Sequence, residues 1–343
     1  MDQSDLRKFL EDLAAWHASA LAQAMVAMIR LRHYNALFEV HDALGQLPAL
    51  ETLRISDCDV LTRLPESLGQ LSALHVSHCD ALTRLPELLD QLSALHISHC
   101  DALTRLPESL GQLVVLHVHR CDALQEMPVL MGRMTALHTL QISNCGTLQH
   151  LPASFGEMEA LRILDISHCS VLRDLPASLG QLQALTSLTI HNCGTLTRLP
   201  ESFGQLVGLT ALRITSNHVM QPLPTSCVRM CNLKKLKYCP SAVPFLPELI
   251  LQAEDLAILE VCWCASYKDV YFRQKARLHS QRMCKRPKIL MLVLVARHLG
   301  GPHLPDELWN YVDRSGILSD RITFDVNGVA RYWTTGVCSA RNY

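Results

Sequence analysis

The sequence predicts an α/β solenoid, an arc of stacked coils whose strands line one parallel, concave sheet. A helical cap at the N-terminus and a small, mostly helical extension at the C-terminus complete it. Three observations carry this expectation. Cysteines recur at 58, 79, 100 and 121, each 21 residues apart, and then at 145, 169 and 193, each 24 apart. The units between them nearly copy one another: GQLSALHVSHCDALTRLPELLD from Gly69 is followed by DQLSALHISHCDALTRLPESLG from Asp90. Hydrophobic residues make up 49% of the 343 while aromatics are only 5%. That leucine-heavy bias suits ladders of one repeated side chain better than an ordinary mixed core.

Residues 1–43 read as the cap. Leu6, Phe9, Leu10, Leu13, Leu21, Met25 and Met28 fall at helical three-and-four spacing, and acidic residues crowd the first turns. Such a helix or helix pair would cover the open end of the first coil.

Residues 44–264 hold about ten units of 21–24 residues. Apolar and polar residues alternate through Leu74-His75-Val76-Ser77-His78, the mark of a strand with one buried face. Cys79 and Leu82 then turn inward. The chain returns through Leu85-Pro86-Glu87-Leu88-Leu89, where proline fixes φ and starts a single helical or 3₁₀ turn. One such coil cannot bury its leucines alone, whereas stacked coils bury them in a continuous ladder. The 21-residue units lack three residues just before the strand. Asn217 takes the cysteine place in a later unit, a degenerate unit follows around Leu233, Leu236 and Tyr238, and the last restores a cysteine at Cys264.

The pattern LxxLxIxxCxxLxxLPxxL resembles the leucine-rich repeat, in the cysteine-bearing form of plant disease-resistance receptors and intracellular Ras-binding repeat proteins. The resemblance covers roughly residues 44 to 264. It implies non-enzymatic protein recognition in signalling or defence, with the partner on the concave face. The GxxxxGK[ST] loop that gives a full disease-resistance receptor its ATP-driven switch does not occur in the sequence. In such repeats the cysteine position is asparagine or cysteine, pointing inward after the strand. Cys58, Cys79, Cys100, Cys121, Cys145, Cys169, Cys193 and Cys264 are therefore expected to be buried thiols that donate to nearby carbonyls. A metal or redox column is the rival, but parallel side-chain vectors hold stacked β-carbons too far apart for a disulfide.

Residues 265–316 form a basic extension expected to be mostly helical, and 317–343 a poorly ordered tail. Arg273 to Lys288 carries seven bases and no acid, and Lys285, Arg286 and Lys288 around Pro287 resemble a short nuclear-import signal. Ile289–Ala296 is the longest purely apolar stretch and reads as a buried helix or strand. It is far shorter than the roughly 20 residues a membrane-spanning helix needs. His303–Val312 reads as a short amphipathic helix. Its LPDELW string is similar to the opening of an F-box, and Val329–Trp333 distantly resembles that module's closing helix. The second functional reading is therefore a substrate adaptor for a ubiquitin ligase, although SGILSDRITFDVNG lacks the leucine-rich helix between the two.

Charge and motif content narrow the function classes. Thirty-one bases against 32 acids, a net of −1, argue against a nucleic-acid-coating or membrane-adhesive protein. Asp2, Asp5, Glu11 and Asp12 stand where a signal peptide needs a basic start and an apolar run. A cytoplasmic protein with reduced thiols is expected, with the basic run as a route to the nucleus. GxSxG, HExxH and Cys-x-Asp constellations do not occur in suitable places, so neither an enzyme nor a cofactor, metal or small-molecule substrate is expected.

The candidate site is the outward row of each strand. One column reads Arg54, His75, His96, His117, Gln141, Asp165, Thr189 and Arg213. A second, three residues on, contains Asp57, His78, His99, Arg120, Asn144, His168, Asn192 and Ser216, with small serines such as Ser77 and Ser98 between the two. Such a mixed polar surface suits a protein partner. Copying of solvated positions during repeat duplication would produce the same pattern. The histidines are expected about 5 Å apart, their mutual repulsion depressing their pKa values.

The inward register makes Leu140 a core residue of the first 24-residue coil. Leu140→Ala should cost about 2–5 kcal/mol in denaturant unfolding; a neutral result would show the register to be wrong.

Overall fold

The computed structural model describes residues 27–217 and 223–240, together with strands at 258–262, 291–295, 322–324 and 330–332. Among the described residues, fourteen strands form a single sheet. They are β1 (Met28–Arg32), β2 (Thr52–Ser56), β3 (Ala73–Ser77), β4 (Ala94–Ser98), β5 (Val115–His119), β6 (Thr139–Ser143) and β7 (Ile163–Ser167). There follow β8 (Ser187–His191), β9 (Ala211–Asn217), β10 (Lys235–Pro240), β11 (Ile258–Cys262), β12 (Met291–Val295), β13 (Ile322–Phe324) and β14 (Ala330–Tyr332). Strands β1 to β12 lie in chain order and are parallel; β14 pairs antiparallel with both β12 and β13.

From β1 to β9 the register is one residue per strand at every position, and it shifts by one between Tyr238 and Pro240 on β10. Leu53, Leu74, Leu95, Leu116 and Leu140 sit side by side on β2 to β6, and Ile55, Val76, Ile97, Val118 and Ile142 form the second ladder. All ten are buried. The core continues behind the sheet through the rows that begin at Leu37, Val40 and Leu44. The three residues missing from the short coils account for one further leucine: Leu50, Leu137, Leu161, Leu185 and Leu209 are buried in the long coils, and the short ones have no counterpart.

Most coils return through a short 3₁₀ turn, as at Asp42–Gln46, Glu66–Gln70, Ala153–Glu157, Ala177–Gln181 and Glu201–Gln205. The glycine in these turns is fixed by its neighbour. A Cβ on Gly156, Gly180 or Gly204 would lie 2.0–2.2 Å from the carbonyl oxygen of Ser178, Ser202 or Ser226 in the next coil. Asp90 stands at the glycine place in its own coil, and the two coils joining β3 to β4 and β4 to β5 have no 3₁₀ turn. Side chains stitch successive coils as well. Thr62, Thr83 and Thr104 each donate to the carbonyl of Phe38, Thr62 and Thr83 respectively, at 3.1–3.5 Å.

Two expectations at the ends are corrected. The helical cap was expected through residue 43, but Met28–Arg32 is a strand paired residue for residue with β2, and Asp42–Gln46 is already a 3₁₀ turn of the repeat. Leu31, Leu37, Val40, Leu44 and Leu47 lie 24 residues before Ile55, Leu61, Leu64, Leu68 and Leu71, so the segment buries its apolar side chains as a coil. Residues 1–26 lie outside the described residues. In the C-terminal region, expected to be mostly helical with Ile289–Ala296 a buried helix or strand, the described elements are strands. Met291–Val295 extends the parallel sheet, and Ala330–Tyr332, within the stretch that resembles the closing helix of an F-box, pairs with Ile322–Phe324 inside the supposed tail. The basic run with Lys285, Arg286 and Lys288, and the His303–Val312 stretch, lie outside the described residues.

The glycine contacts make a graded test. Gly180→Ala puts a methyl against a backbone oxygen that can move only with its whole coil, so a loss of roughly 1–3 kcal/mol is expected. Gly111, whose Cβ would meet nothing nearer than the Arg133 oxygen at 3.6 Å, should accept alanine within about 0.5 kcal/mol. Equal losses in chemical denaturation would mean that the turns do not pack as described.

Candidate docking face

The outward positions of the strands build one continuous polar face. Register places Arg30, Arg54, His75, His96, His117, Gln141, Asp165, Thr189 and Arg213 on nine neighbouring strands, followed by Lys237 and Glu260. The expected first column is therefore assembled in order, and it starts one strand earlier, at Arg30. Arg54 and Arg213 are exposed, and the residues between them are half-buried by their own neighbours.

Three of the ring pairs lie closer than a bare strand repeat of about 4.8 Å suggests. His75 and His96 stack with centroids 4.4 Å apart and planes at 6°, while His117 meets His96 edge-on at 4.4 Å. In the second column His78 and His99 stack at 4.2 Å, and His119 meets His99 edge-on at 5.3 Å. Arg120 donates from Nη1 to His99 Nε2 at 3.3 Å. His168 accepts from Asn192 at 2.9 Å and packs edge-on against His191 at 4.9 Å. Between the columns, His119 and His191 bond to Ser143 and Thr215 at 2.7 Å.

The second column carries a signal that sequence reasoning missed. His33, Asp57, His78, His99, Arg120, Asn144, His168, Asn192 and Ser216 all have φ between 49° and 61°, the left-handed conformation. The chain must break from the strand there to turn into the next coil. Asn, Asp and His tolerate that conformation better than other side-chain-bearing residues. The composition of this column thus answers first to the backbone. An asparagine, aspartate or histidine one residue before six of the seven inward cysteines from Cys58 to Cys193, with Arg120 before Cys121 the exception, was the available clue. Arg30, His33, His119 and His191 were also missed. Tyr34 in the cysteine place of the first coil hid the first two, and serine in neighbouring coils hid the others.

Behind this face the inward cysteines behave as expected. Cys58, Cys79, Cys100, Cys121, Cys145, Cys169 and Cys193 are buried free thiols, each donating to the carbonyl two residues back at 3.4–3.6 Å. Burial pushes the Cys100 thiol up to about 12 and those of Cys145 and Cys193 up to about 11. They stay protonated and act as small core donors. Asn217 keeps the pattern: its amide donates to the Ile190 carbonyl at 3.2 Å, as Cys193 does to Ile166, and its carbonyl accepts from the Cys193 amide at 2.7 Å. Cys264 lies outside the described residues. Among those residues no group of three or more His, Cys, Asp and Glu is placed to hold a metal ion.

Burial leads the depression of the imidazole pKa values, ahead of the mutual repulsion expected from sequence. His75 falls to about 4, first through desolvation and then through His96, Arg54 and His117. His96 and His117 are lowered by desolvation first, then by Arg54 and His96 respectively. His99 is lowered by burial, then by His78 and Arg120, with Asp101 opposing. At neutral pH these rings are uncharged. The fixed charge of this end of the face comes from arginine, balanced locally where Asp57 holds Arg32 at 3.3 Å and His33 at 3.5 Å.

A family model described as Leucine Rich Repeat matches residues 49–71 and 160–182. No curated protein matches the chain. Among solved structures, the leucine-rich repeat domain of the type III effector XCV3220 (XopL) is 24% identical with a TM-score of 0.50, covering 74% of this chain and 81% of that one. An internalin (inlF) from Listeria monocytogenes is 13% identical with a TM-score of 0.36, covering 72% and 93%. The plant peptide hormone receptor RGFR1, solved with RGF2, is 20% identical with a TM-score of 0.30, covering 65% and 46%. The first of these shows the shared fold.

The depressed histidines set the sign of a stability change. Unfolded imidazole titrates near 6.5, above the folded values, so the unfolded chain binds protons first as pH falls. Stability should decline from about pH 6.5 toward 5, above the range in which carboxylates begin to titrate. His75→Gln/His96→Gln/His117→Gln should make that decline shallower in urea unfolding; an unchanged slope would remove the histidine row as its cause.

Proposed function

We propose that this chain, a leucine-rich repeat protein in its matched units and its fold, is a non-enzymatic protein-recognition scaffold or sensor. Its partner docks on the outward face of the sheet, at the row that runs from Arg54 through His75, His96, His117, Gln141, Asp165 and Thr189 to Arg213. The observation that carries the reading is the regular presentation of diverse side chains on a rigid surface. Each strand supplies one residue to each row, and the strands are held by a continuous leucine core. Hollows on this face are shallow. One of about 330 Å³ spans β1 to β4, and one of about 270 Å³ spans β8 to β10. Shallow, open, mixed-polarity hollows suit protruding side chains of a protein better than a small molecule, which usually binds in an enclosed apolar pocket.

A role in signalling or defence rests on the cysteine form of the repeat and on the fold shared with a domain of a type III effector. Buried free thiols support a reducing compartment such as the cytoplasm. Among the described residues no helix is long and apolar enough to cross a membrane.

Affinity capture from native cells with two altered faces tests this. Arg54→Gln/His96→Gln changes the first half of the row, and Gln141→Ala/Asp165→Ala/Arg213→Ala the second; the substituted side chains are exposed or half-buried. At least one variant should lose a protein that the wild type retains, with its melting temperature unchanged. Retention by both would place recognition elsewhere.

A further inference from the structure

On the reading that the outward face docks a protein, its β1–β5 end has a definite electrostatic character. The outward side chains there are Arg30, Arg54, and the imidazoles of His75, His96 and His117 in one row, with Arg32 and the small Ser56, Ser77 and Ser98 beside it. Among the described residues, Asp57 is the acid within the outward rows at this end, and it is already held by Arg32 and His33; Asp59, Asp80, Asp101 and Asp122 lie in the turns that follow. Asp165 comes two strands later on β7, where the Ser167 hydroxyl donates to it. A chain of net charge −1 thus shows a locally cationic trough. The hollow at this end is lined by the small Ser56, Ser77 and Ser98 beside the imidazoles, and Ala73, Ala94 and Val115 form an apolar strip on the other side of the row.

We propose that this trough receives an extended, carboxylate-bearing segment of the protein partner, laid across the strands with its acidic side chains on Arg30, Arg54 and the His75–His96–His117 row. Side chains on one side of an extended segment repeat about every 6.7 Å, and β1 to β5 span about 19 Å, so about three carboxylates fit. Asp59, Asp80, Asp101 and Asp122 stand exposed just past the second column. A single extended chain avoids them, whereas a nucleic-acid duplex, far broader, would overlie them.

The occupant also determines the pH response. The groups facing the row are Arg54 on β2, Gln141 on β6, His119 on β5, and His78, His99 and Arg120 at the turns, with Asp57 and Asp101 as the nearby acids. Bases outnumber acids, and the rings are half-buried, so they stay neutral in the free protein. A partner carboxylate adds the missing counter-charge and favours the imidazolium. Binding then takes up protons, and the complex tightens as pH falls from neutral.

The full chain can be titrated, by anisotropy at about 0.15 M salt, with a labelled decapeptide of alternating Glu and Ser, its Gln–Ser counterpart, and an oligothymidine. The acidic peptide should bind more tightly than the other two and gain at least about fivefold between about pH 7.5 and 5.5. Arg54→Gln should weaken it at both pH values, and His75→Gln/His96→Gln/His117→Gln should flatten the gain. Arg198→Gln, exposed on the return segment after β8 and outside the outward rows, should change neither. If the triple variant does not fold, His96→Gln alone should still reduce the gain. Equal binding of the two peptides, preference for the oligothymidine, or a pH gain that survives the histidine substitutions overturns the proposal. A native partner lost from the face variants in capture, but from a protein indifferent to the acidic peptide, would sink this inference and leave the docking role standing.

Discussion

Parallel strands hydrogen-bond at about 4.8 Å, and in the described coils most inward side chains have to fit a space of that height beneath their own copy. The leucine and isoleucine ladders exist because branched aliphatics fill such a space without leaving a void. Glycine at 156, 180 and 204 exists because two backbones meet there with no room for a Cβ. The left-handed residue that closes each strand, and the thiol that follows it, are the same constraint applied to the turn. Each thiol finds its carbonyl two residues back, so the turn satisfies its own donor before the next coil is added.

The same spacing governs the outer face with the opposite chemical result. Inside, stacking identical groups is favourable because they are apolar. Outside, stacking imidazoles such as His75, His96 and His99 in rows of like rings is tolerable only while they remain neutral. Partial burial keeps them so, and Arg54 and Arg120 reinforce it. The histidine rows are therefore a product of packing first and of charge second.

Much of this was legible in the chain because a repeat states its own register. Once the cysteines were aligned, Leu74, Leu95 and Leu116 had to share a face, and so did His75, His96 and His117, and the structure places both sets as expected. What the sequence concealed follows from the same logic. The first coil escaped notice because Tyr34 replaces the cysteine, and three-and-four spacing of leucines occurs by chance in a solenoid coil as readily as in a helix. Met28 was assigned to a helix on that spacing and belongs to β1. Stacking geometry, which decides whether paired rings lie flat or edge-on, depends on rotamers that no periodicity encodes. The strands Met291–Val295 and Ala330–Tyr332 belong to no repeat, so no register announced them.

The near identity of the coils carrying β3 and β4 has one further consequence. A unit whose upper and lower surfaces match can be inserted or deleted whole without disturbing either neighbour, because every contact it breaks is remade by its copy. Each 21-residue insertion would add one imidazole to each of the two histidine columns, together with one thiol, two strand ladder residues and one threonine rung. The array is in this sense a ruler with adjustable length: its reach along a partner, and the number of ionisable rings it presents, change together in whole steps while the cross-section stays the same.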